Sequence, residues 1–481
     1  MKKIYLYITL ILLSLSSCSD WLDVAASDQM KESQLFEKGQ GYRNALLGIY
    51  QELSTEKLYG QQMTWGMLDA MGQLYDPSSI VTSSEFIITN AAKYDYKNSY
   101  VKEATEKIWT SMYLCIANCN NLIANIESAS PSIFEYKEEE KNMITGEAYA
   151  LRGFLHFDLL RLFAPSLAAG GDGNYIPYCD TYPAIYNKRL SVKEVLNKII
   201  ADLEKAQDLT AQDTMPDNIE ALQRVRCRVE NENYFKERGI FWGYRCTRMN
   251  YLNITGILAR VYLYAGELEK ANDEAQYVLN FEGIDFPSKY GGYSGNSKSR
   301  NDILLAFFNK RISETFEAYT GGDCGYLKLK NLDELYSNET ADKRYSEMIK
   351  EVTKSTRMSA KYIKYTNNSD ERVNGPLIPV LRKAEMFHIV CEYLVSKDRL
   401  ADAVKLLNDL RYARGLPFSN MGTNLSKDEF LGKLRLDAHK EFVSEGQVFF
   451  MYKRLNQGIW DGKNGTVSPD YVLPIPDGEN I

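Results

Sequence analysis

Histidine is nearly missing from this sequence. Only His156, His388 and His439 occur in 481 residues, each inside a block of helical periodicity and none at zincin or zinc-finger spacing to another ligand. No metal site follows from them, and no ordered run of acids has the spacing of a calcium loop. Also absent are a GxSxG elbow, a Walker A loop and a GxGxxG turn after a strand, so the common nucleophilic and nucleotide-binding chemistries have no motif to rest on. Gly291-Gly292-Tyr293-Ser294-Gly295 reads as a flexible loop. Positive charge is not in excess: 57 Lys and Arg stand against 64 Asp and Glu, a formal charge of −7 that becomes −9 once Lys2 and Lys3 are subtracted. Nucleic acid is thereby disfavoured as a partner, because phosphate binding leaves a basic footprint.

Disulfides are not expected either. After Cys18 there remain Cys115, Cys119, Cys179, Cys227, Cys246, Cys324 and Cys391, an odd and widely spaced set. Cys115 and Cys119, four apart on a helical pattern, read as small buried residues at a helix contact. Long hydrophobic runs are lacking as well. The longest, Ile4 to Leu15, has twelve residues, whereas a membrane-spanning helix needs about 20. With Lys2 and Lys3 before it and Leu15-Ser16-Ser17-Cys18 after it, this run reads as a secretory signal ending in a sequence that resembles the bacterial lipobox. The expectation is a signal peptide over residues 1–17, acylation of Cys18, a tether over 18–38 and one domain over 39–481. Several acyl chains on one residue would anchor the protein stably.

What the sequence has is helical periodicity. Apolar residues recur at helical spacing over 39–54, 101–127, 137–164, 191–209, 250–266, 269–281, 381–396, 399–412 and 426–443. Two pairs of these blocks have the small-residue offsets of a tetratricopeptide-like hairpin. Ala259, Tyr262, Ala271 and Val278 mark the first, with its turn at Gly266-Glu267. Cys391, Leu394, Ala403 and Leu407 mark the second, turning at Ser396-Lys397-Asp398. The pair 101–127 and 137–164 is a third candidate. The expected fold is therefore all-α dominated, built of tetratricopeptide-like hairpins with long irregular loops near 165–190, 210–249, 283–330 and 355–380. Asp302–Phe308 and Lys361–Tyr365 are expected as short strands.

Tyrosine is abundant, 34 residues against 19 Phe and 5 Trp. A phenol ring combines an apolar face with a polar tip, which suits sugar faces flanked by hydroxyls, although tyrosine also packs hairpins and covers loops. The ligand-contact candidates are Trp65, Asp69, Tyr75 and Asp76 in one loop cluster, and Tyr290, Tyr293, Tyr319 and Tyr326 in a later one. No catalytic residue, cofactor or metal is expected. A paired-carboxylate glycosidase stays open only because the chain is rich in acids, and no barrel-type alternation of strand and helix supports it.

Several motifs resemble the SusD/RagB family of outer-membrane nutrient-binding lipoproteins. Cys18-Ser19-Asp20-Trp21-Leu22-Asp23-Val24 resembles the start of its mature members. The run from Gly146 to Phe163, with Ala150-Leu151-Arg152 and Phe157-Asp158-Leu159, resembles their A-x-x-L-R-A-x-x-Y-F-D-L-x-R-x-F-G helix. Arg382 to Ile389 with Glu392 resembles R-x-A-E-x-Y-L-x-x-A-E, and Asn408 to Gly415 the N-x-x-R-x-R-A/G after it. His439 to Arg454 is similar to R-x-x-E-F-x-x-E-G-x-R-F-F-D-L-K-R, except that Gln447 stands for the usual Arg and Met451 for the usual Asp. Tyr471 to Pro476 resembles the L-x-P-I-P terminus. The resemblance implies a SusD-like fold displayed on the outer membrane, facing the exterior. It further implies nutrient binding, with an oligosaccharide as the expected cargo, and delivery to a SusC-like TonB-dependent transporter. A helical-repeat scaffold or a peptide-binding lipoprotein of the same complex is the alternative, and a surface glycosidase the third.

Overall fold

A computed structural model describes residues 32–76, 86–229, 239–284, 297–320, 327–337, 339–353, 356–364, 375–418, 421–422 and 424–479. Each helix expected from periodicity is found: α1 (Gly39–Leu53), α2 (Ser99–Ser128), α3 (Lys137–Phe163), α4 (Val192–Leu209), α5 (Tyr251–Ala265), α6 (Leu268–Asn280), α7 (Lys383–Ser396), α8 (Leu400–Ala413) and α9 (Lys427–Glu441). A further helix, α10 (Gln447–Leu455), follows a turn at Gly446. The helix starts are chemically marked. Ser191 with Glu194 and Ser426 with Glu429 form capping boxes, and Asn98 accepts the Tyr100 amide, so N–H groups that helix geometry orphans find partners.

Successive helices pack on one another from α1 through α8, and α9 lies against both α7 and α8. In the α5–α6 hairpin Ala259, Tyr262, Ala271 and Val278 are all buried; in the α7–α8 hairpin so are Cys391, Leu394, Ala403 and Leu407. The small residues let the backbones approach closely enough for the Cys391 thiol to meet the Ala403 carbonyl at 3.5 Å. Gly266 turns the first hairpin at φ 79°, a left-handed conformation that costs a glycine little. One continuous hydrophobic cluster runs from Tyr42 to Leu473.

The helix α3 is buried on every side from Met143 to Phe163, as expected of a central element. Its polar residues are consequently all matched. Arg152 grips Asp202 through Nε and Nη2 at 2.6 and 2.7 Å, and Arg161 pairs with Asp158. His156 meets the Arg152 carbonyl at 2.9 Å through Nδ1 and accepts the Cys179 amide at Nε2 at 3.0 Å, stacked on Tyr178 at 3.8 Å. Burial pushes it down to about 3, so the ring is neutral.

Strands are few and short. Ile303–Phe308 pairs antiparallel with Leu377–Arg382, Ile303 opposite Arg382 and Phe308 opposite Leu377, which agrees with the strand expected at Asp302–Phe308. The other expected strand differs: residues 361–364 form a turn. The reason is Lys361, which is wholly buried with its Nζ 2.5 Å from Glu445, while the Tyr362 hydroxyl donates to the Ser444 carbonyl at 3.1 Å. Both side chains are pulled inward, which breaks the alternation a strand needs. The irregular stretch 210–249 also carries order, with short helices at Glu220–Gln223 and Val225–Val229. Within the expected tether, Glu32–Leu35 is helical and Phe36 packs on Tyr42 at 4.7 Å.

A second core, made of charge, joins α7, α8, α9 and the turn before α10. Arg344, Arg382 and Arg414 all reach Glu441, at 3.1, 2.9 and 2.5 Å, and Arg382 and Arg414 also reach Asp302 at 3.3 and 2.8 Å. Burial would raise the Glu441 carboxyl, but the guanidinium groups of Arg414, Arg382 and Arg344 hold it well below the carboxylate range. Arg382, Arg414 and Glu441 belong to the motifs noted above, and the structure makes them scaffold.

Candidate functional site

Trp65, Asp69 and Tyr75 lie beneath the surface, with relative exposures of 0, 0 and 1%. The Trp65 indole N–H donates to the Gly60 carbonyl at 3.0 Å, and its ring stands edge-on to Phe316 and Tyr319 at 5.1 and 5.3 Å. The Tyr75 hydroxyl donates to the Trp65 carbonyl at 2.7 Å. Asp69 accepts the Ser444 and Gly446 amides at 2.6 and 3.0 Å. Burial pushes its carboxyl up to about 7, although those two amides pull the other way. The polar atoms that could have met a sugar are thus engaged by main chain, and these three residues act as a foundation.

Asp76 and Tyr319 are partly exposed above that foundation. The Asp76 amide donates to the Lys328 carbonyl at 2.9 Å, and its carboxylate takes the Lys328 ammonium at 3.2 Å. Tyr75 and Leu329 form a β-bridge, and Lys330 donates its amide to the Leu74 carbonyl at 3.0 Å. The Lys330 ammonium meets Asp461 at 2.5 Å. This seam sets the chain just before residues 77–85 beside the chain just after residues 321–326. Tyr290, Tyr293 and Tyr326 lie outside the described residues, as does Cys18.

The described chain beside residues 285–296 and 365–374 meets the same patch. Ser297 Oγ donates to the Ala360 carbonyl at 3.1 Å and Lys298 Nζ to the Gly375 carbonyl at 2.7 Å, while Lys298 also lies 5.0 Å from the centre of the Tyr362 ring. Tyr362 packs on Phe316 at 5.7 Å, and the Lys364 amide donates to Glu317 at 3.0 Å. Phe316, Glu317 and Tyr319 belong to one short stretch, so chain positions near 76, 297, 320, 328, 364 and 375 gather around the partly exposed Tyr319 and the Asp76–Lys328 pair. A convergence of several chain positions on one rigid patch is how folds commonly mount a binding surface.

Sequence reasoning missed a second feature. A groove of about 1010 Å³ runs between Tyr94, Tyr96, Phe163 and Tyr175 on one side and the terminal Val472-Leu473-Pro474-Ile475-Pro476 segment on the other. The Tyr96 hydroxyl donates to the Asp470 carbonyl at 2.6 Å, and the buried Lys453 ammonium holds the carbonyls of Leu162 and Tyr471 at 3.1 and 2.6 Å. Alternation of ring and charge in Lys93-Tyr94-Asp95-Tyr96-Lys97 was the available signal. Among the described residues no cluster of three or more His, Cys, Asp or Glu could hold a metal, and no helix is long and apolar enough to cross a membrane.

Comparison with known proteins places residues 20–225 in a family described as starch-binding, associating with the outer membrane, and residues 286–479 in the SusD family. The chain is 25% identical to SusD-like protein P2 of Formosa agariphila over all of its own length and 98% of that protein. It is 22% identical to SusD-like protein P38 of the same organism, covering 94% of this chain and 91% of the relative. Among solved structures, a SusD superfamily protein from Bacteroides thetaiotaomicron superposes with a TM-score of 0.70 at 21% identity, over 92% of this chain and 97% of that one. A SusD-like carbohydrate binding protein from Bacteroides vulgatus gives 0.67 at 21% identity, over 92% and 96%.

Proposed function

The chain belongs to the SusD/RagB family, and on that premise we propose that it is a carbohydrate-binding accessory protein of the outer membrane which captures an oligosaccharide and passes it to a TonB-dependent transporter. It performs no covalent chemistry in this reading. Cys18 carries the lipid, and the helical stack stands outside the cell. The single observation that carries the binding site is the gathering of six chain positions, near 76, 297, 320, 328, 364 and 375, around Tyr319, Asp76 and Lys328. In this reading Tyr290, Tyr293 and Tyr326, close in sequence to those positions, supply rings for stacking, and Asp76 and Lys328 supply directed hydrogen bonds. Trp65 supports Tyr319 from below.

The test is a glycan-array screen of the protein from residue 19 onward, followed by calorimetric titration of any hit. Saturable binding without product, weakened at least tenfold in Tyr293→Ala and Tyr319→Ala, is the expected result. Cleavage of the hit would make the protein an enzyme. Binding that both substitutions leave intact would move the site away from this patch, and no glycan binding at all would sink the carbohydrate reading in favour of a peptide cargo or a scaffold.

A further inference from the structure

The helices α3, α5, α7 and α10 do not close fully on one another. Between them lies a cavity of about 70 Å³, walled by Phe157, Phe450 and Met451 and faced by Arg260, Tyr264 and Gln447. Two of its polar atoms have no hydrogen-bond partner, the Tyr264 hydroxyl and the Arg260 Nη1. Each belongs to a side chain that is 5% exposed. The rest of the Arg260 guanidinium is occupied: Nε meets Glu385 at 2.7 Å, and Nη2 meets Glu385 at 2.6 Å and the Val380 carbonyl at 2.9 Å.

Both orphan groups donate. Burial keeps the Tyr264 phenol protonated, and the charges that act on it are the cations Arg161 and Arg454. Gln447 Oε1, a neutral acceptor on α10 that lines the cavity, is taken by Arg161 Nη1 at 3.2 Å. Met451, which also lines the cavity, offers no carboxylate where the motif this segment resembles has Asp. Buried donors left without an acceptor destabilise the fold, so a guest is favoured. A water molecule fills about 30 Å³, and the cavity has room for a guest of that size. A water could accept from both donors, but its own two hydrogens would have only the lining carboxylates of Glu385 and Glu392 to meet, and those are already engaged by Arg260 and Arg454. A spherical anion accepts from both and brings none.

We infer that this cavity is a site for one small monovalent anion of the halide class, held by the Tyr264 hydroxyl and the Arg260 Nη1, and that its occupation braces α10 against the helical stack. The anion stands where a carboxylate on α10 would otherwise stand. Chloride is the probe of choice.

Thermal unfolding of the protein is followed while chloride replaces gluconate at constant ionic strength. A saturable rise of the midpoint is expected, with the chloride affinity falling about tenfold in Tyr264→Phe, which deletes one donor and keeps the ring. Met451→Glu provides a tethered carboxylate, so it should raise the midpoint in gluconate and abolish the chloride response; it also serves should Tyr264→Phe fail to fold. Crystals soaked in bromide should show an anomalous peak in hydrogen-bonding reach of Tyr264 Oη. Water alone at that position, or an unchanged chloride response in both variants, would overturn the assignment.

Discussion

Arg382 and Glu445 hold each other in a fully buried ion pair, the Arg382 Nε lying 2.9 and 3.0 Å from the two carboxylate oxygens. The pair ties the residue before α7 to the turn that introduces α10, and Lys361 joins it at 2.5 Å. Removing one partner would leave the other charged in a dry interior. Arg382→Met should therefore destabilise the fold by about 3–5 kcal/mol, seen as a lower urea midpoint. A loss under about 1 kcal/mol would mean that water reaches the network.

Trp65 and Tyr319 touch but should respond differently to truncation. Trp65→Ala removes a ring with no exposure and should cost about 3–5 kcal/mol of stability by opening a cavity. Tyr319→Ala, at the partly exposed edge, should leave the urea midpoint much less changed while weakening glycan binding. Equal losses of stability in the two variants would show that Tyr319 is foundation as well.

The buried histidines set an acid limit. His156 and His439 are each pushed by burial from 6.5 down to about 3, so the unfolded chain takes up protons that the folded one refuses. Stability should then fall as pH drops below about 6.5, by about 2 kcal/mol per histidine at pH 5. Asp69 opposes this. Raised by burial from 3.8 to about 7, its carboxyl binds a proton more readily in the folded state, which favours folding as pH falls from 7 towards 4. Chemical denaturation between pH 4.5 and 7 should accordingly show a shallower acid decline in His156→Gln and a steeper one in Asp69→Asn, whatever their baselines.

If Cys18 carries the lipid, Cys18→Ala should move from the membrane fraction to the soluble one while keeping its circular dichroism and its ligand. A variant that still sediments with membranes would contradict the anchor.

The helices were legible because each presents a periodic apolar face and chemically marked ends; Ser191 with Glu194 and Ser426 with Glu429 signal their helix starts locally. Hairpin pairing was legible through Ala259, Ala271, Cys391 and Ala403, whose small size has meaning only at a helix contact. The roles of Trp65 and Asp69 were not. Indole beside carboxylate looks like a sugar subsite in one dimension, and the amides of Ser444 and Gly446 that claim Asp69 stand some 375 positions away. Lys361 misled for a related reason, since a lysine in an alternating run is ordinarily taken as solvent-facing. Its partner Glu445 comes from another part of the chain. Long-range pairing of buried charge has no local signature.

The seam between Tyr75-Asp76 and Lys328-Leu329 has an evolutionary corollary. Chain joined to a fixed seam can lengthen, shorten or change composition at little thermodynamic cost, since closure entropy grows only slowly with length. On the proposed function the patch is a socket: replacement of residues 77–85 or 321–326 by those of a relative should transplant cargo preference without refolding the helices, and diversification of diet would require no change in the frame.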